Sequence, residues 1–459
     1  MSGGEGMSGA TIPAPERRGV EDDTGCPDIC IIGAGSSGVA VAKALKERGI
    51  AFACYETGSD IGGMWRYRND NGMSSAYAAL HIDTSRDNLG YPDFPIPKHL
   101  PDFLSHAQFL AHLEAYADHF GIRPLITFRT SVTRVMPMED GRWQVSLSDG
   151  RRIAYRQVVV ANGHLWDPRL PEFPGEFDGT TLHAHHYRTS DPFEGRCVLV
   201  VGLGNSAVDI AVDLCRRAAH VAISTRRGAW IMPKYLMGVP VDRWSALLSR
   251  RLHLPTRLTR MIMARLIRLG VGDQRRFGLP RPAHPMWREH ATLSQDLLPA
   301  IGHGRITVRP DIARLDGDGV VFTDGVRDPF DAIIYATGYR TSFPFLDPGL
   351  ARQALGDESR PALYRRILSP ACPGLAFAGL VQPIGPTIPL VEIQARWLAS
   401  LLSGAMAPAG PEDQRREIAR HHAVQRRTWL DSPRYALEVD YKTYARQLRR
   451  DMARGQAGI

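Results

Sequence analysis

Asp28-Ile29-Cys30-Ile31-Ile32-Gly33-Ala34-Gly35-Ser36-Ser37-Gly38 is the stretch on which the fold of this chain turns. Ile29 to Ile32 reads as a short buried strand, and Ser36 to Glu47 carries helical spacing. A strand therefore enters a helix through a complete G-x-G-x-x-G loop. Each glycine has a physical task there. Gly33 allows the tight turn, Gly35 lets backbone approach a pyrophosphate, and Gly38 brings helix and strand together. Ser36 and Ser37 open the helix, whose free N–H groups suit phosphate oxygens. Ala51 to Glu56 reads as the next strand, and Glu56 lies 23 residues beyond Gly33, where a carboxylate can accept hydrogen bonds from a ribose. Glycines also mark ordinary turns; strand, helix and acid in register favour the nucleotide site.

The same grammar returns later. Cys197 to Val201 leads into Gly202-Leu203-Gly204-Asn205-Ser206-Ala207, with a helical stretch to Arg217 and a strand at Val221–Ser224. Alanine at 207 is an accepted variant of the third glycine. The second strand ends on Thr225-Arg226-Arg227 rather than on an acid. A carboxylate there would repel a 2′-phosphate, whereas Arg226 and Arg227 can bind one. The bland alternative is a solvated arginine pair in an arginine-rich chain. The first site is thus expected to take a dinucleotide with a free ribose and the second NADPH. Two such sites in one chain imply electron relay between NADPH and a flavin.

Between the units, Ser105–Phe120 has helical spacing, with Ser105 and Gln108 as a capping box. Trp143, Val145 and Leu147 alternate between Asp140-Gly141 and Asp149-Gly150, the mark of β-hairpins. Phe330–Tyr335 reads as a further strand. The predicted fold is α/β, with two Rossmann-like dinucleotide-binding domains, the NADPH domain inserted into the FAD domain. Residues 1–25 are expected to be a disordered leader, 26–164 the first part of the FAD domain, 165–327 the NADPH domain with a helical insertion at about 240–300, and 328–459 the rest of the FAD domain with C-terminal helices.

Composition sets the class. At 459 residues, 44% hydrophobic and 23% charged, the chain is long enough for two or three domains and excludes a fibrous or wholly disordered protein. Its net charge of +8 is modest and does not indicate nucleic acid. Only five of its 56 cationic residues are lysine. Six scattered cysteines form neither a disulfide framework nor a zinc pattern, so a reducing cytoplasm is expected. No apolar run is long enough to span a bilayer.

Phe177-Asp178-Gly179-Thr180-Thr181-Leu182-His183-Ala184-His185-His186-Tyr187 resembles the F-x-G-x-x-x-H-x-x-x-Y fingerprint of the flavin-containing monooxygenase family. Its last position is the Phe/Tyr of that family rather than the Trp of Baeyer–Villiger relatives. The histidines could also suggest a metal; without an accompanying cysteine or carboxylate pattern, loop or partly buried histidines and no metal are the favoured reading. The likeness runs along the chain. Ile61-Gly62-Gly63-Met64-Trp65-Arg66 resembles the family's G-G-x-W beside the flavin. Asp83-Thr84-Ser85-Arg86 with Tyr91-Pro92-Asp93-Phe94-Pro95 resembles its N-x-S-K and D-F-P segments. Gly202–Ala211, which includes Asp209, and Ser224–Trp230 resemble its NADPH site. Ala336-Thr337-Gly338-Tyr339 is similar to its late strand-end motif, Gly379–Trp397, with Gln382, to its C-terminal flavin segment, and Val439-Asp440-Tyr441 with Tyr444 to its final helix region.

The resemblance implies an NADPH- and O2-dependent flavin monooxygenase that oxygenates a nucleophilic nitrogen or sulfur through a C4a-hydroperoxyflavin. Baeyer–Villiger oxygenation of a ketone and an uncoupled oxidase releasing H2O2 are the alternatives. A disulfide reductase would need a cysteine pair that Cys26 and Cys30 do not provide. Position 83, usually asparagine in the family, is aspartate here, and is the one side chain nominated for a catalytic role. An ionised aspartate accepts but cannot donate, so Asp83 is open to being a protonated donor, a base, a substrate selector or a plain turn residue. The membrane tail of animal members is expected to be absent. From Arg243 to Gly272 there are seven arginines and no acid, with Leu258, Met261, Ile262, Leu266 and Leu269 on one helical face. A membrane-surface helix and a helix packed on its own domain both fit, the second being favoured. A small-molecule substrate and O2 are the expected partners, and oligomeric state stays open, a homodimer included.

Overall fold

The computed structural model describes residues 27–357, 360–430 and 435–457. The expected leader, and Cys26, lie outside these. Strand Ile29–Ile32, helix Ser36–Lys46 and strand Ala53–Tyr55 open the chain. Ile29–Ile32 is the centre of a five-stranded parallel sheet in the order Leu375–Phe377, Gln157–Val160, Ile29–Ile32, Ala53–Tyr55, Ile126–Thr127. Cys197–Val201 is the centre of a second, ordered Thr180–His183, Ala332–Tyr335, Cys197–Val201, His220–Ser224, Ile306–Arg309, also parallel. Four strands correspond between the two sheets, but the edge strand beside Gln157–Val160 comes last in its unit, whereas Thr180–His183, beside Ala332–Tyr335, comes first in its own.

Alternation assigns the faces. Ile29 and Ile31 point into the core shared with Val39, Leu45, Leu390 and Trp397. Cys30 and Ile32 point the other way, onto Val145, Val158, Val160 and Phe377. In the second sheet Val198 and Val200 face Ala207, Ile210 and Leu214, while Leu199 and Val201 face Val320, Phe322 and Phe330. Both faces are covered, as a parallel sheet requires, which is why these strands read as unbroken apolar runs.

The second unit is inserted between Gln157–Val160 and Leu375–Phe377 of the first. The strand at Ala332–Tyr335 corrects the expected boundary at residue 327. It pairs with Cys197–Val201, not with the first sheet, because it is the counterpart of Gln157–Val160. Each unit also carries a three-stranded antiparallel sheet, Val132–Pro137 with Trp143–Leu147 and Arg152–Tyr155, and Ile312–Asp316 with Gly319–Phe322 and Arg327–Pro329. The capping box of helix His106–His119 forms as expected, Ser105 Oγ accepting from Gln108 N–H while Gln108 Oε1 accepts from Ser105 N–H.

The arginine-rich segment folds as helices Val241–Ala246 and Thr256–Val271. The longer one buries Thr259, Met263 and Ile267 in a small core with Met232, Val241, Leu248 and Met286. That face is rotated from the expected one. Ile262 and Leu266 border the core, but Leu269 is 83% exposed and Met261 45%. Thr259, hydrogen-bonded to Leu254 O at 3.4 Å, lets the packed ridge run through residues 259, 263 and 267. No described helix is long and apolar enough to cross a membrane.

Candidate functional site

In each unit the glycine that ends the central strand donates its N–H to the last residue of the neighbouring strand: Gly33 to Tyr55 O at 2.8 Å, Gly202 to Ser224 O at 2.9 Å. Both have positive φ, +99° and +126°, and a Cβ there would lie 2.8 Å from Ala161 O or 2.6 Å from Ala336 O. A Cβ at Gly38 would lie 1.9 Å from Gly33 O, so only glycine closes the first loop. In the second loop the Cβ of Ala207 fits, its nearest approach to a hypothetical Gly202 Cβ being 3.7 Å. Both loops are open cradles of the kind a pyrophosphate fills, so the residues present fit two dinucleotides.

Around the first loop, Gly62 N–H donates to Ala34 O at 3.1 Å, and a Cβ on Gly63 would stand 3.1 Å from Gly35 Cα. Met64 and Trp65 continue this turn against the loop, the Trp65 ring edge-on to Phe109 at 4.9 Å. A Cβ at Gly379 would lie 2.1 Å from Ser37 Oγ, so the C-terminal part of the chain returns to the helix opened by Ser36 and Ser37. Gln382 lies just beyond, its N–H donating to Leu437 O at 2.7 Å. Glu56 is buried and accepts from Ala34 N–H at 2.7 Å, Gly58 N–H at 2.8 Å and Asn71 Nδ2 at 3.2 Å. A carboxylate has about four acceptor positions, which leaves room for a ribose hydroxyl.

Around the second loop, Gly204 caps helix Asn205–Leu214 and Ser206 lies in its first turn. Asn205 Oδ1 accepts from Leu293 N–H at 2.8 Å and so braces the loop. Thr225 is buried and its hydroxyl donates to Arg227 O at 2.7 Å, closing the turn that presents Arg226 and Arg227. Both arginines are exposed. Gly338 follows strand Ala332–Tyr335 with φ +86° and open space beside it.

Between the loops runs the segment that contains Asp83 and Thr84, both half-buried. Asp83 is neither an N-cap nor a free acid: Lys234 Nζ stands 3.0 Å from its Oδ1. This ion pair crosses from the first unit to the second. Tyr77 OH donates to Asp209 Oδ2 at 2.9 Å. Burial pushes the Asp209 carboxyl up, and the negative charge of Asp83 adds to this while Lys234 opposes it. Burial works against the Lys234 ammonium, but Asp83 and Asp209 outweigh it and hold it above its ordinary value. Two acids and one ammonium thus share a site fed from both units. The fingerprint histidines have structural partners. His183 Nδ1 accepts from His185 N–H at 3.0 Å, and burial lowers its pKa to about 4. His185 Nε2 lies 3.2 Å from Gly72 O.

Sequence spacing did not find Lys234, Tyr77 or Asn71, because they reach the site from loops. The rarity of lysine in the chain was the one available signal for Lys234.

A sequence profile of the flavin-binding monooxygenase-like family matches residues 27–454. The chain belongs to this family. It is 34% identical to flavin-containing monooxygenase 5 of Oryctolagus cuniculus over 434 residues, 90% of this chain and 80% of that protein. It is 33% identical to the N-oxide-forming dimethylaniline monooxygenase 2 of Rattus norvegicus over 442 residues, 92% and 81% of the two chains. Among solved structures, the S-allyl-L-cysteine S-oxygenase of Allium sativum superposes with a TM-score of 0.69 at 25% identity over 93% of this chain and 88% of that one. Open cyclohexanone monooxygenase gives 0.72 at 18% identity over 95% and 99%, a likeness of fold. This flavin-binding monooxygenase-like protein is an FAD-containing, NADPH-dependent monooxygenase.

Proposed function

We propose that the enzyme oxygenates a soft nitrogen or sulfur nucleophile in a small molecule, with FAD on the first glycine loop and NADPH on the second. The observation that carries this is the Phe177–Tyr187 fingerprint with a phenol at its end. Tyr187 is buried, and its hydroxyl donates to Asp213 Oδ2 at 2.5 Å on the helix that opens at the second glycine loop. The N-oxide-forming and S-oxygenase relatives support the same substrate class. Bound FAD supplies the acceptance of a hydride from NADPH and the activation of O2.

The side chains do the holding. Gly33, Gly35, Ser36, Ser37 and Gly38 receive the FAD pyrophosphate and Glu56 its ribose, with Met64, Trp65, Thr84 and Gln382 beside the flavin. Gly202, Gly204, Asn205, Ser206 and Ala207 form the NADPH cradle, with Thr225, Arg226 and Arg227 at the 2′-phosphate and Gly338 at its rim. Where the two units meet, Lys234 supplies the N–H donor that Asp83 lacks, and Asp83 keeps that ammonium aimed and charged. Asp209 with Tyr77 holds a proton close by. A charged donor in a water-poor cleft stabilises developing negative charge on oxygen.

The test is the fate of NADPH electrons in the holoenzyme given an amine, a sulfide or a cyclic ketone. An N- or S-oxide is expected, while an ester or lactone alone would favour Baeyer–Villiger chemistry, and H2O2 alone an oxidase. Lys234→Met should raise the share of NADPH lost as H2O2 by about 10-fold, the worth of one charge-assisted hydrogen bond, and Lys234→Arg should raise it less. An unchanged share in Lys234→Met would remove the donor role.

A further inference from the structure

Arg227 is held from behind. Its Nη2 donates to Tyr435 OH at 3.0 Å, and its guanidinium stands 5.9 Å from the centroid of the same ring. Tyr435 is 1% exposed, and its hydroxyl donates to Glu289 Oε2 at 2.8 Å. The other oxygen of Glu289 lies 3.1 Å from His284 Nε2, with both side chains buried. His284 is fixed in turn, its carbonyl accepting from Trp230 Nε1 at 2.9 Å. The line Arg227, Tyr435, Glu289, His284 thus joins three segments far apart in sequence.

The order of groups matters. A carboxylate placed directly on Arg227 would occupy its fork and neutralise its charge, which leaves little for a phosphate. Here a neutral phenol intervenes. It accepts from the guanidinium and donates its own proton to Glu289, whose other oxygen lies 3.1 Å from His284 Nε2. A buried donor chain of this kind polarises along its length, so the phenol oxygen is a better acceptor than an isolated one. Arg227 pairs with no carboxylate among the described residues, and a single guanidinium N–H is committed to Tyr435. The remaining donors and the full charge stay available, while the long side chain is already held in place by Tyr435. That lowers the ordering entropy a ligand must meet.

We propose that Tyr435 and Glu289 are positioning residues that hold Arg227 for the 2′-phosphate and thereby set the preference for NADPH over NADH. This rests on the reading of Arg226 and Arg227 as the phosphate site. Tyr435 comes from the C-terminal segment, three residues before the strand Glu438–Asp440 that pairs with Gln382–Ile384. Nucleotide choice at the second glycine loop is therefore completed by a segment that also braces the first unit.

The experiment uses the FAD-loaded enzyme and measures equilibrium binding of NADP+ and NAD+ together with KM for NADPH and NADH. Tyr435→Phe keeps the ring and removes the hydroxyl's hydrogen bonds to Arg227 and Glu289. It should weaken NADP+ about 3- to 10-fold and raise KM for NADPH, with NAD+ binding and KM for NADH in place. Glu289→Gln should shift the NADP+/NAD+ ratio in the same direction by less, and it serves if Tyr435→Phe does not fold. Arg227→Ala should lower that ratio further than either. If Arg227→Ala lowers the ratio while Tyr435→Phe and Glu289→Gln leave it untouched, the positioning role is overturned and the phosphate site stands. If Arg227→Ala leaves the ratio unchanged, the phosphate reading itself fails, and the positioning role with it.

Discussion

Asp209 is a carboxyl that burial and the neighbouring charge of Asp83 push from an ordinary 3.8 up to about 7, against the pull of Lys234 and Tyr77. Tyr77 and Asp83 face it from the first unit, and Lys234 and Asp296 from the second. Its native pKa lies above its unfolded one, so between about pH 4 and 7 the folded chain keeps a proton that the unfolded chain has released. Stability from this site therefore falls as pH rises through that window. Asp209→Asn should flatten that fall, seen as a smaller loss of Tm between pH 5 and 7.5 than in the parent enzyme. Parallel curves would mean that Asp209 ionises freely. The same residue-scale logic explains why position 83 can hold an acid: an ammonium stands opposite it.

Among the helices, Ser36–Lys46 and Ile388–Leu402 pack through a polar seam as well as an apolar one. Lys43 is 1% exposed and reaches Glu47 at 2.8 Å, Glu392 at 3.9 Å, and Asp93. Glu392 is bound in addition by Arg396 at 2.5 Å. A buried cation paired with a buried acid is expensive to break from one side, because Glu392 would stay buried without it. Lys43→Ala should cost about 3 kcal/mol or more in urea unfolding. Glu47→Ala, which removes a half-exposed partner, should cost under about 1 kcal/mol. Equal losses would show that the seam behaves as a surface network. The apolar pattern of Ser36–Lys46 announced the helix, but nothing local marked Lys43 as an inward residue; apart from Glu47 one turn on, its partners Asp93 and Glu392 come from far along the chain.

Across the whole molecule, the segment 83–103 of the first unit, with its short helix Arg86–Leu89, is clasped by residues 234–243 of the second. Beyond Lys234 and Asp83, Asp242 accepts from Ser85 N–H at 2.9 Å and Asn88 Nδ2 at 3.1 Å. Arg243 meets Asp102 at 2.5 Å and Asp87 at 2.9 Å, and the Tyr235 ring stands edge-on to Phe103 at 5.3 Å. These contacts are polar and part-exposed, while the cores behind them are separate, so the clasp can loosen without unfolding either unit. Arg243→Ala should raise amide hydrogen exchange across residues 234–248 with little change in Tm. It should also send more NADPH electrons to H2O2 as water reaches the Lys234–Asp83 pair. Unchanged protection would mean that the insertion is held by its own small core around Met263.

Much of this is legible in the sequence. The two glycine loops, the acid after one and the arginines after the other, and the strand and helix around each follow from residue size and charge at short range. Gly38 had to be glycine because a Cβ would strike the Gly33 carbonyl, and that constraint is local. What only the tertiary structure decided was partnership at long range: that Ala332–Tyr335 belongs to the second sheet, that Lys234 answers Asp83, and that Tyr435 stands behind Arg227. A chain's spacing fixes which atoms are near in sequence, but these pairs are made by strands and loops that meet only once both sheets have closed.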